Sequence, residues 1–113
     1  MDRGNVVLVD WPYSDRTGSK LRPAVVVQAD FLNAKIDDTV LIAVTRTGRS
    51  ASTIEVVIDP ASESGSGLRH RSIASCNNFL TIDQAYVIRV IGTLSTSVMR
   101  QIDGCLKTAL ELP

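Results

Sequence analysis

The sequence predicts a mainly β fold, a curled sheet or small barrel followed by one C-terminal α-helix. Short runs rich in β-branched residues are bounded by Gly, Pro, Asp or Ser, which is the pattern of strands. No long helical segments alternate with them, as a parallel sheet would require. The predicted strands are residues 5–10, 22–28, 39–45, 53–58, 73–81 and 86–91.

The final helix is predicted from its cap and its apolar spacing. Ser95 is a suitable N-cap residue, and an apolar stripe at helical spacing follows it. Gly104 interrupts the stripe, at a cost of about 1 kcal/mol relative to alanine unless close packing needs a bare backbone. The stripe consists of Val98, Met99, Ile102, Cys105, Leu106, Ala109 and Leu110.

The chain length fits a single domain over residues 1–113, with the barrel at about 4–92 and the helix at about 95–111. Hydrophobic residues make up 44% of the sequence, as in an ordinary globular protein. No apolar run approaches the roughly 20 residues of a membrane span, and the N-terminus does not resemble a signal peptide. We therefore expect a cytoplasmic protein.

The two cysteines, Cys76 and Cys105, have neither the spacing of a zinc site nor the density of a disulfide scaffold. We expect both to be reduced, buried thiols, and we expect no bound metal. The two longest segments between predicted strands, residues 11–21 and 59–71, are candidate functional loops. Within the second loop, residues 60–67 are expected to be mobile.

Charge is balanced overall but unevenly distributed. Twelve basic residues match twelve acidic ones, yet three polar segments, residues 14–24, 45–53 and 66–75, contain seven of the basic residues and a single acid, Asp15. If the fold brings these segments together, they create a local positive field that attracts phosphates. The alternative is that they are separate solvated loops. The basic residues are Arg16, Lys20, Arg22, Arg46, Arg49, Arg69 and Arg71.

Arg22 occupies a distinctive position within these segments. It lies between a Gly- and Lys-containing loop and an apolar strand, directly before Pro23. Proline fixes its own φ angle and biases the preceding residue toward extended geometry. The sequence therefore predicts an arginine held at the mouth of the sheet, which suits phosphate binding.

Several ordered motifs resemble the MazF/PemK family of toxin endoribonucleases. They are residues 3–10, 18–27, 42–45, 72–83 and 91–95, in the family's order and over nearly the whole chain. The resemblance implies a small SH3-like β-barrel with a C-terminal helix, usually a homodimer. It also implies cofactor- and metal-independent cleavage of single-stranded mRNA at short sequences, which arrests growth, and inhibition by an antitoxin that fills the RNA groove.

The resemblance assigns catalytic roles to Arg22 and Thr45, which match motif positions that family members use. In metal-free cleavage the ribose 2'-hydroxyl attacks the neighbouring phosphorus, and negative charge builds on the phosphoryl oxygens. The planar guanidinium of Arg22 can bind two of these oxygens, and the Thr45 hydroxyl can donate to the same phosphate.

Four positions depart from the family pattern. Where many members have arginine before the cysteine and aspartate and glutamine after it, this chain has Ser75, Asn77 and Asn78, and Leu80 replaces a later arginine. The acid and base roles of the family cannot be transferred to Ser75 or Asn77. An asparagine can still bind the edge of a base, so Asn77 is a candidate for RNA recognition.

The missing proton carrier makes His70 a candidate general base. It is the only histidine, and its neighbours Arg69 and Arg71 would favour the neutral imidazole. A solvated surface histidine is the simpler alternative. Asp15 is a second candidate base, with pairing to Arg16 or Lys20 as the alternative.

Other side chains are candidates for binding the RNA without reacting. Lys20 and Arg46 each lie near a proposed catalytic residue and are expected to contact phosphates. Tyr13 is a candidate for stacking on a base, whereas Trp11 is expected to pack in the core or in a dimer interface.

Two other classes of function stay open at this point. A gyrase-directed toxin on the same barrel would act on a protein target through its C-terminal helix. A catalytically silent RNA-binding or antitoxin-binding module would fit the changes at Ser75 and Asn77.

Overall fold

The structure, a computed structural model, describes residues 1–13, 15–46 and 50–113. Six antiparallel strands form one curled sheet in the order β4-β5-β3-β2-β1-β6, and a helix follows the last strand. This confirms the predicted mainly β fold. The elements are β1 (Asn5–Pro12), β2 (Ser19–Val26), α1 (Asp30–Asn33), β3 (Asp38–Arg46), β4 (Glu55–Ile58), β5 (Ser72–Asp83), β6 (Arg89–Thr93) and α2 (Thr96–Leu110).

The strands differ from the prediction mainly at their ends. The β1–β2 hairpin stays paired out to Pro12 and Ser19, so the expected loop at 11–21 shrinks to residues 13–18. The last strand begins at Arg89, because Gln84–Tyr86 form a single 3-10 turn. The short helix α1 and this turn carry too little apolar periodicity to be recognised from sequence.

Alternation along the strands gives the sheet two buried faces. The helix face packs against α2 and contains Val6, Val25, Ile42, Val44, Val56, Ile58, Ala74 and Cys76, together with Leu94, Val98 and Ile102 of the helical segment. The cavity face, on the other side, contains Val7, Val9, Trp11, Ala24, Val26, Leu41 and Ala43. The side chains of consecutive strand residues therefore pack on opposite faces of the sheet.

The N-terminus of α2 is capped as predicted, and from two sides. The Ser95 hydroxyl accepts a hydrogen bond from the Val98 amide at 3.2 Å. The carboxylate of Glu63 in turn accepts from the Ser95 amide at 2.8 Å and from its hydroxyl at 2.9 Å. With Glu63 only 9% exposed, the segment expected to be mobile is instead packed against the start of the helix.

Close backbone contact fixes the same segment to β6. A Cβ atom on Gly92 would lie 2.3 Å from the carbonyl oxygens of Gly65 and Ser66, so only glycine fits there. Gly104 of α2 differs from Gly92 of β6 in this respect, because an added Cβ on Gly104 would enter open space. Among the described residues, no close packing accounts for a glycine at position 104.

Arg3 ties the start of the chain to α2. Its Nε donates to the Val27 carbonyl at 2.8 Å, and its Nη2 lies 2.6 Å from Oδ1 of Asp103. Its backbone amide donates to Asp30 at 2.6 Å. Residues distant in sequence are therefore held together on the side of the molecule that carries the helix.

Both cysteines are free thiols, and both are held near residues 53–55. The Cys76 amide donates to the Ile54 carbonyl at 2.9 Å, while the Cys105 sulfur lies 3.5 Å from the Thr53 carbonyl oxygen. Burial, with a smaller contribution from Cys105, raises the pKa of the Cys76 thiol to about 12. The prediction holds for Cys76, which is fully buried, but Cys105 is only partly buried.

Candidate active site

Arg22 emerges on the cavity face of β2. It pairs with Val9 of β1, and alternation places it on the same face as Trp11 and Ala24. Its neighbour Pro23 pairs with Leu8 and faces the other way. Within the described residues, the half-buried Arg22 guanidinium takes part in no hydrogen bond or ion pair. Its N–H donors are therefore available to a ligand in the adjacent space.

That space is an open cavity of about 390 Å³. Its volume is in the range of small-ligand sites, and its lining combines a cation, a carboxylate, an amide and aromatic rings. Tyr13 is 46% exposed at its edge, whereas Trp11 is only 6% exposed and belongs to the core, as the sequence predicted. The described residues lining it are Trp11, Pro12, Tyr13, Asp15, Arg22 and Asn78.

Thr45 and Arg46 end β3 beside this region, and both are exposed. The β2–β3 ladder ends at the pair Ala24–Ala43, and alternation along each strand puts Arg22 and Thr45 on the face of that pair. Opposed residues of antiparallel strands point to the same face. The two predicted catalytic residues therefore share one face of neighbouring strands, although Thr45 is not among the residues lining the cavity.

A bulge in β5 supplies the cavity with its amide. Ser75 pairs with Ala43 but Phe79 pairs with Ile42, so residues 76–78 form an excess of three opposite β3. Bulges of this kind redirect side chains and occur beside active sites. Asn78 lines the cavity, whereas Asn77, the residue proposed from sequence, is exposed and lies outside the lining. Two asparagines inside a strand pattern were the available signal, because asparagine is disfavoured in strands.

The carboxylate of Asp15 is oriented by its own loop. Its Oδ1 accepts from the Thr17 amide at 3.0 Å and from the Thr17 hydroxyl at 2.8 Å. These hydrogen bonds lower the pKa of Asp15, because they favour the charged form. The loop is closed by the Tyr13 amide, which donates to the Gly18 carbonyl at 2.8 Å. Asp15 is thus a fixed, ionised acceptor next to Arg22.

His70 and the third basic segment lie elsewhere. His70 is exposed in the bend before β5, where its carbonyl accepts from the Ser72 hydroxyl at 2.9 Å, and it is not among the residues lining the cavity. Arg69 lines a second cavity of about 500 Å³ together with Arg89 and Pro23. Since Pro23 faces away from Arg22, the predicted basic segments are divided between two sides of the sheet.

The remaining candidates are placed as follows. Lys20 is exposed on β2 and shares the face of Arg22 by alternation. Leu80, which stands where many relatives have arginine, packs against the cavity-face cluster. Ser75 is half-buried opposite Ala43. Arg49 lies outside the described residues.

Two wider properties complete the description. Over residues 1–13, 15–46 and 50–113, no group of three or more His, Cys, Asp or Glu side chains is arranged to hold a metal ion. In the same part of the chain, neither helix has the length and apolarity to span a membrane.

Comparison with solved structures shows that the fold recurs among bacterial toxins. An endoribonuclease in complex with its cognate antitoxin from a mycobacterial species superposes with a TM-score of 0.82 at 25% identity, covering 100% of this chain and 97% of that one. The Mycobacterium tuberculosis toxin MazF-mt6 gives 0.73 at 23% identity over 95% and 98% of the two chains. MazF from Deinococcus radiodurans gives 0.77 at 17% identity over 99% and 97%.

The sequence itself matches a family model over residues 2–110, nearly the full length of the chain. That match covers both strands of the Arg22 hairpin, the β5 bulge and the closing helix. The chain therefore belongs to the family of PemK-like, MazF-like toxins of type II toxin-antitoxin systems.

Proposed function

We propose that this toxin is an endoribonuclease that cleaves single-stranded mRNA without a metal ion, by attack of a ribose 2'-hydroxyl on the adjacent phosphorus. The products are a 2',3'-cyclic phosphate and a 5'-hydroxyl end. The observation that carries the proposal is Arg22, a half-buried guanidinium presented to a cavity on the face that Thr45 shares. Loss of mRNA in this way would arrest translation and growth.

Arg22 and Thr45 stabilise the transition state in this proposal. As the phosphorus becomes pentacoordinate, charge accumulates on its non-bridging oxygens, and preorganised donors gain strength as that charge develops. The Arg22 fork binds these oxygens with a charge that does not vary with pH, and the Thr45 hydroxyl adds a further donor. Lys20 and Arg46, both exposed near these residues, contact the flanking phosphates.

The proton of the 2'-hydroxyl needs an acceptor, and the departing 5'-oxygen takes up a proton, from that same group or from water, to become the 5'-hydroxyl. As acceptors the chain offers Asp15 and His70. Asp15 lies beside Arg22, but the bonds that lower its pKa also make it a weak base. An imidazole is ordinarily a stronger base than a carboxylate, but His70 lies outside the cavity lining. It can accept the proton only if the bound RNA, or a second subunit, brings the 2'-hydroxyl to the bend before β5. A pH-rate profile of His70→Ala decides this, because an unchanged profile removes the imidazole from the mechanism.

The partners follow from the same proposal. One structural match is an endoribonuclease bound to its cognate antitoxin, and we infer that a cognate antitoxin occupies the RNA site of this chain as well. A homodimer, in which loops from two subunits build one longer groove, is the assembly we propose for cleavage in the cytoplasm.

Incubation of the purified protein with mixed single-stranded RNA in EDTA tests the proposal. We expect fragments with cyclic phosphate and 5'-hydroxyl ends from the wild type and far slower cleavage by Arg22→Ala, which guards against a contaminating nuclease. Intact RNA after incubation with folded wild-type protein would reject the nuclease. RNA binding without cleavage would then favour a silent module, and inhibition of gyrase would favour the gyrase-directed alternative.

A further inference from the structure

Two polar groups in the cavity beside Arg22 differ sharply in what they can bind. Asp15 is an ionised carboxylate, which only accepts hydrogen bonds, while Asn78 carries an amide with both a donor and an acceptor. Both recorded bonds to Asp15 use Oδ1, so neither of them occupies Oδ2. Tyr13 adds an aromatic ring at the edge of the same cavity.

This set of groups complements one nucleobase better than the other three. The Watson–Crick edge of guanine places two N–H donors side by side, N1–H and N2–H, next to the O6 acceptor. A carboxylate oxygen with two unoccupied lone pairs, such as Oδ2 of Asp15, can accept from both adjacent donors, and an amide N–H matches the remaining acceptor. Adenine and cytosine each place a ring acceptor where guanine has N1–H, and uracil has a single donor between two acceptors.

We propose that this cavity is a base-reading subsite that selects guanine, with Oδ2 of Asp15 accepting from both N1–H and N2–H and Asn78 donating to O6. Tyr13 stacks on the base, as aromatic rings do in single-stranded RNA recognition. The inference rests on the proposed function, since it takes RNA to be the ligand of this cavity. It adds the identity of one recognised nucleotide and the residues that select it.

The placement of Asp15 supports a role in base recognition rather than in proton transfer. A carboxylate beside a phosphate-binding arginine repels the phosphate, and this cost is offset when the carboxylate binds N–H donors on the same ligand. The two Thr17 bonds keep Asp15 ionised and hold it in one orientation. Both properties favour a permanent acceptor and disfavour a general base.

The β5 bulge supports Asn78 over its neighbour. Asn77 and Asn78 are adjacent and exposed, but only Asn78 is among the described residues that line the cavity. The excess residues between Ser75 and Phe79 allow an amide to leave the plane of the pleat and point at the site.

Binding of oligonucleotides that cannot be cut separates this inference from catalysis. The probes are 2'-O-methyl oligouridylates with one guanine, inosine, adenine or cytosine, and the readout is fluorescence anisotropy. We expect the guanine probe to bind about tenfold more tightly than the uridine-only probe, the order expected when two hydrogen bonds read one base edge. Inosine, which lacks the N2 amine, should lie in between.

Three variants assign the preference to its residues. Asp15→Asn keeps an Oδ1 acceptor for Thr17 but replaces the second oxygen with a donor, so the difference between guanine and inosine should disappear. Asn78→Ala should reduce the guanine preference severalfold. Asp10→Asn is the control, since Asp10 is exposed on β1 on the side away from Trp11, and it should bind like the wild type.

The possible outcomes are distinct. Equal binding of all probes by the wild type, or a guanine preference that survives both Asp15→Asn and Asn78→Ala, overturns the inference even if the protein cuts RNA. Guanine-selective binding that depends on these residues supports it even if no RNA is cut, in which case only the nuclease proposal fails.

Discussion

The two faces of the sheet contrast in how they are held together. The helix face is cross-linked by bonds between distant residues, such as Arg3 with Asp103 and Glu63 with Ser95. The end of the cavity face presents a cation, Arg22, without a recorded partner among the described residues. The contrast indicates that different side chains stabilise the fold and contact the ligand. A single substitution should therefore lower either stability or activity and leave the other property unchanged.

The largest expected effect is on cleavage. Arg22→Ala should reduce the cleavage rate on the order of 10²- to 10³-fold, the usual cost of removing one transition-state donor. The free energy of unfolding should stay within about 0.5 kcal/mol of the wild type, because no structural bond is lost. Arg89→Ala removes the same type of charge on the opposite face and should cut normally. A large loss of stability in Arg22→Ala would break the comparison.

The next effect is on stability. Gly92→Ala should lower the free energy of unfolding by about 3 kcal/mol, since the added methyl group collides with backbone rather than with a movable side chain. Urea titration followed by circular dichroism measures this. Cleavage at a temperature where the variant remains folded should stay close to normal. A neutral substitution would show that the contact between β6 and residues 65–66 is not needed.

Thiol chemistry tests how tightly the helix face is closed. At pH 8, iodoacetamide should label the partly buried Cys105 at least about tenfold faster than Cys76, which is buried and has its pKa raised to about 12. Raising the pH toward 12 increases the thiolate fraction of Cys76, so its labelling should rise with pH. Peptide mass spectrometry identifies the site. Equal labelling of the two at pH 8 would indicate that the helix face opens readily.

Gly104→Ala is the matched control for Gly92→Ala. The same methyl group enters open space on α2, so we expect a stabilisation of about 1 kcal/mol from helix propensity alone. The same urea titration measures it. Destabilisation would mean that a partner covers this position, for example a second subunit.

The smallest effect is on RNA affinity. Lys20→Ala should weaken RNA binding about threefold at moderate salt and lower the slope of log K against log salt concentration by roughly 0.7, as expected for one phosphate contact on a single strand. The loss should be similar for all sequences. A sequence-dependent loss would place Lys20 among the residues that read bases.

Most of the fold could be predicted from the sequence, because its patterns are local. Alternating β-branched runs located the strands, and Ser95 with the stripe behind it located α2. Strand ends were less accurate, since they depend on cross-strand pairing such as that of Pro12 with Ser19. The packing of Glu63 onto Ser95 joins residues far apart in sequence, and no local pattern predicts such a contact.

The site was predictable only in part. Pro23 marked Arg22 as a held arginine, and the family motifs pointed to Thr45. Asn78 lines the cavity, and the sequence did not single it out, because the side to which a bulged residue points depends on the partner strand. Asn77 stays a prediction. His70 was a candidate because of the chemistry of imidazole. Its position outside the cavity lining depends on tertiary structure, which no local pattern predicts.

The bulge in β5 affects how the length of the cavity lining can change among related proteins. Its odd excess of residues reverses the alternation, so that Ser75 before it and Leu80 after it both face inward on the same side. Because pairing with β3 on either side fixes these faces, we expect residues 76–78 to tolerate changes in number while Ser75 and Leu80 keep their positions. The part of the cavity lining that the bulge supplies can therefore change in length without disturbing the strand that carries it.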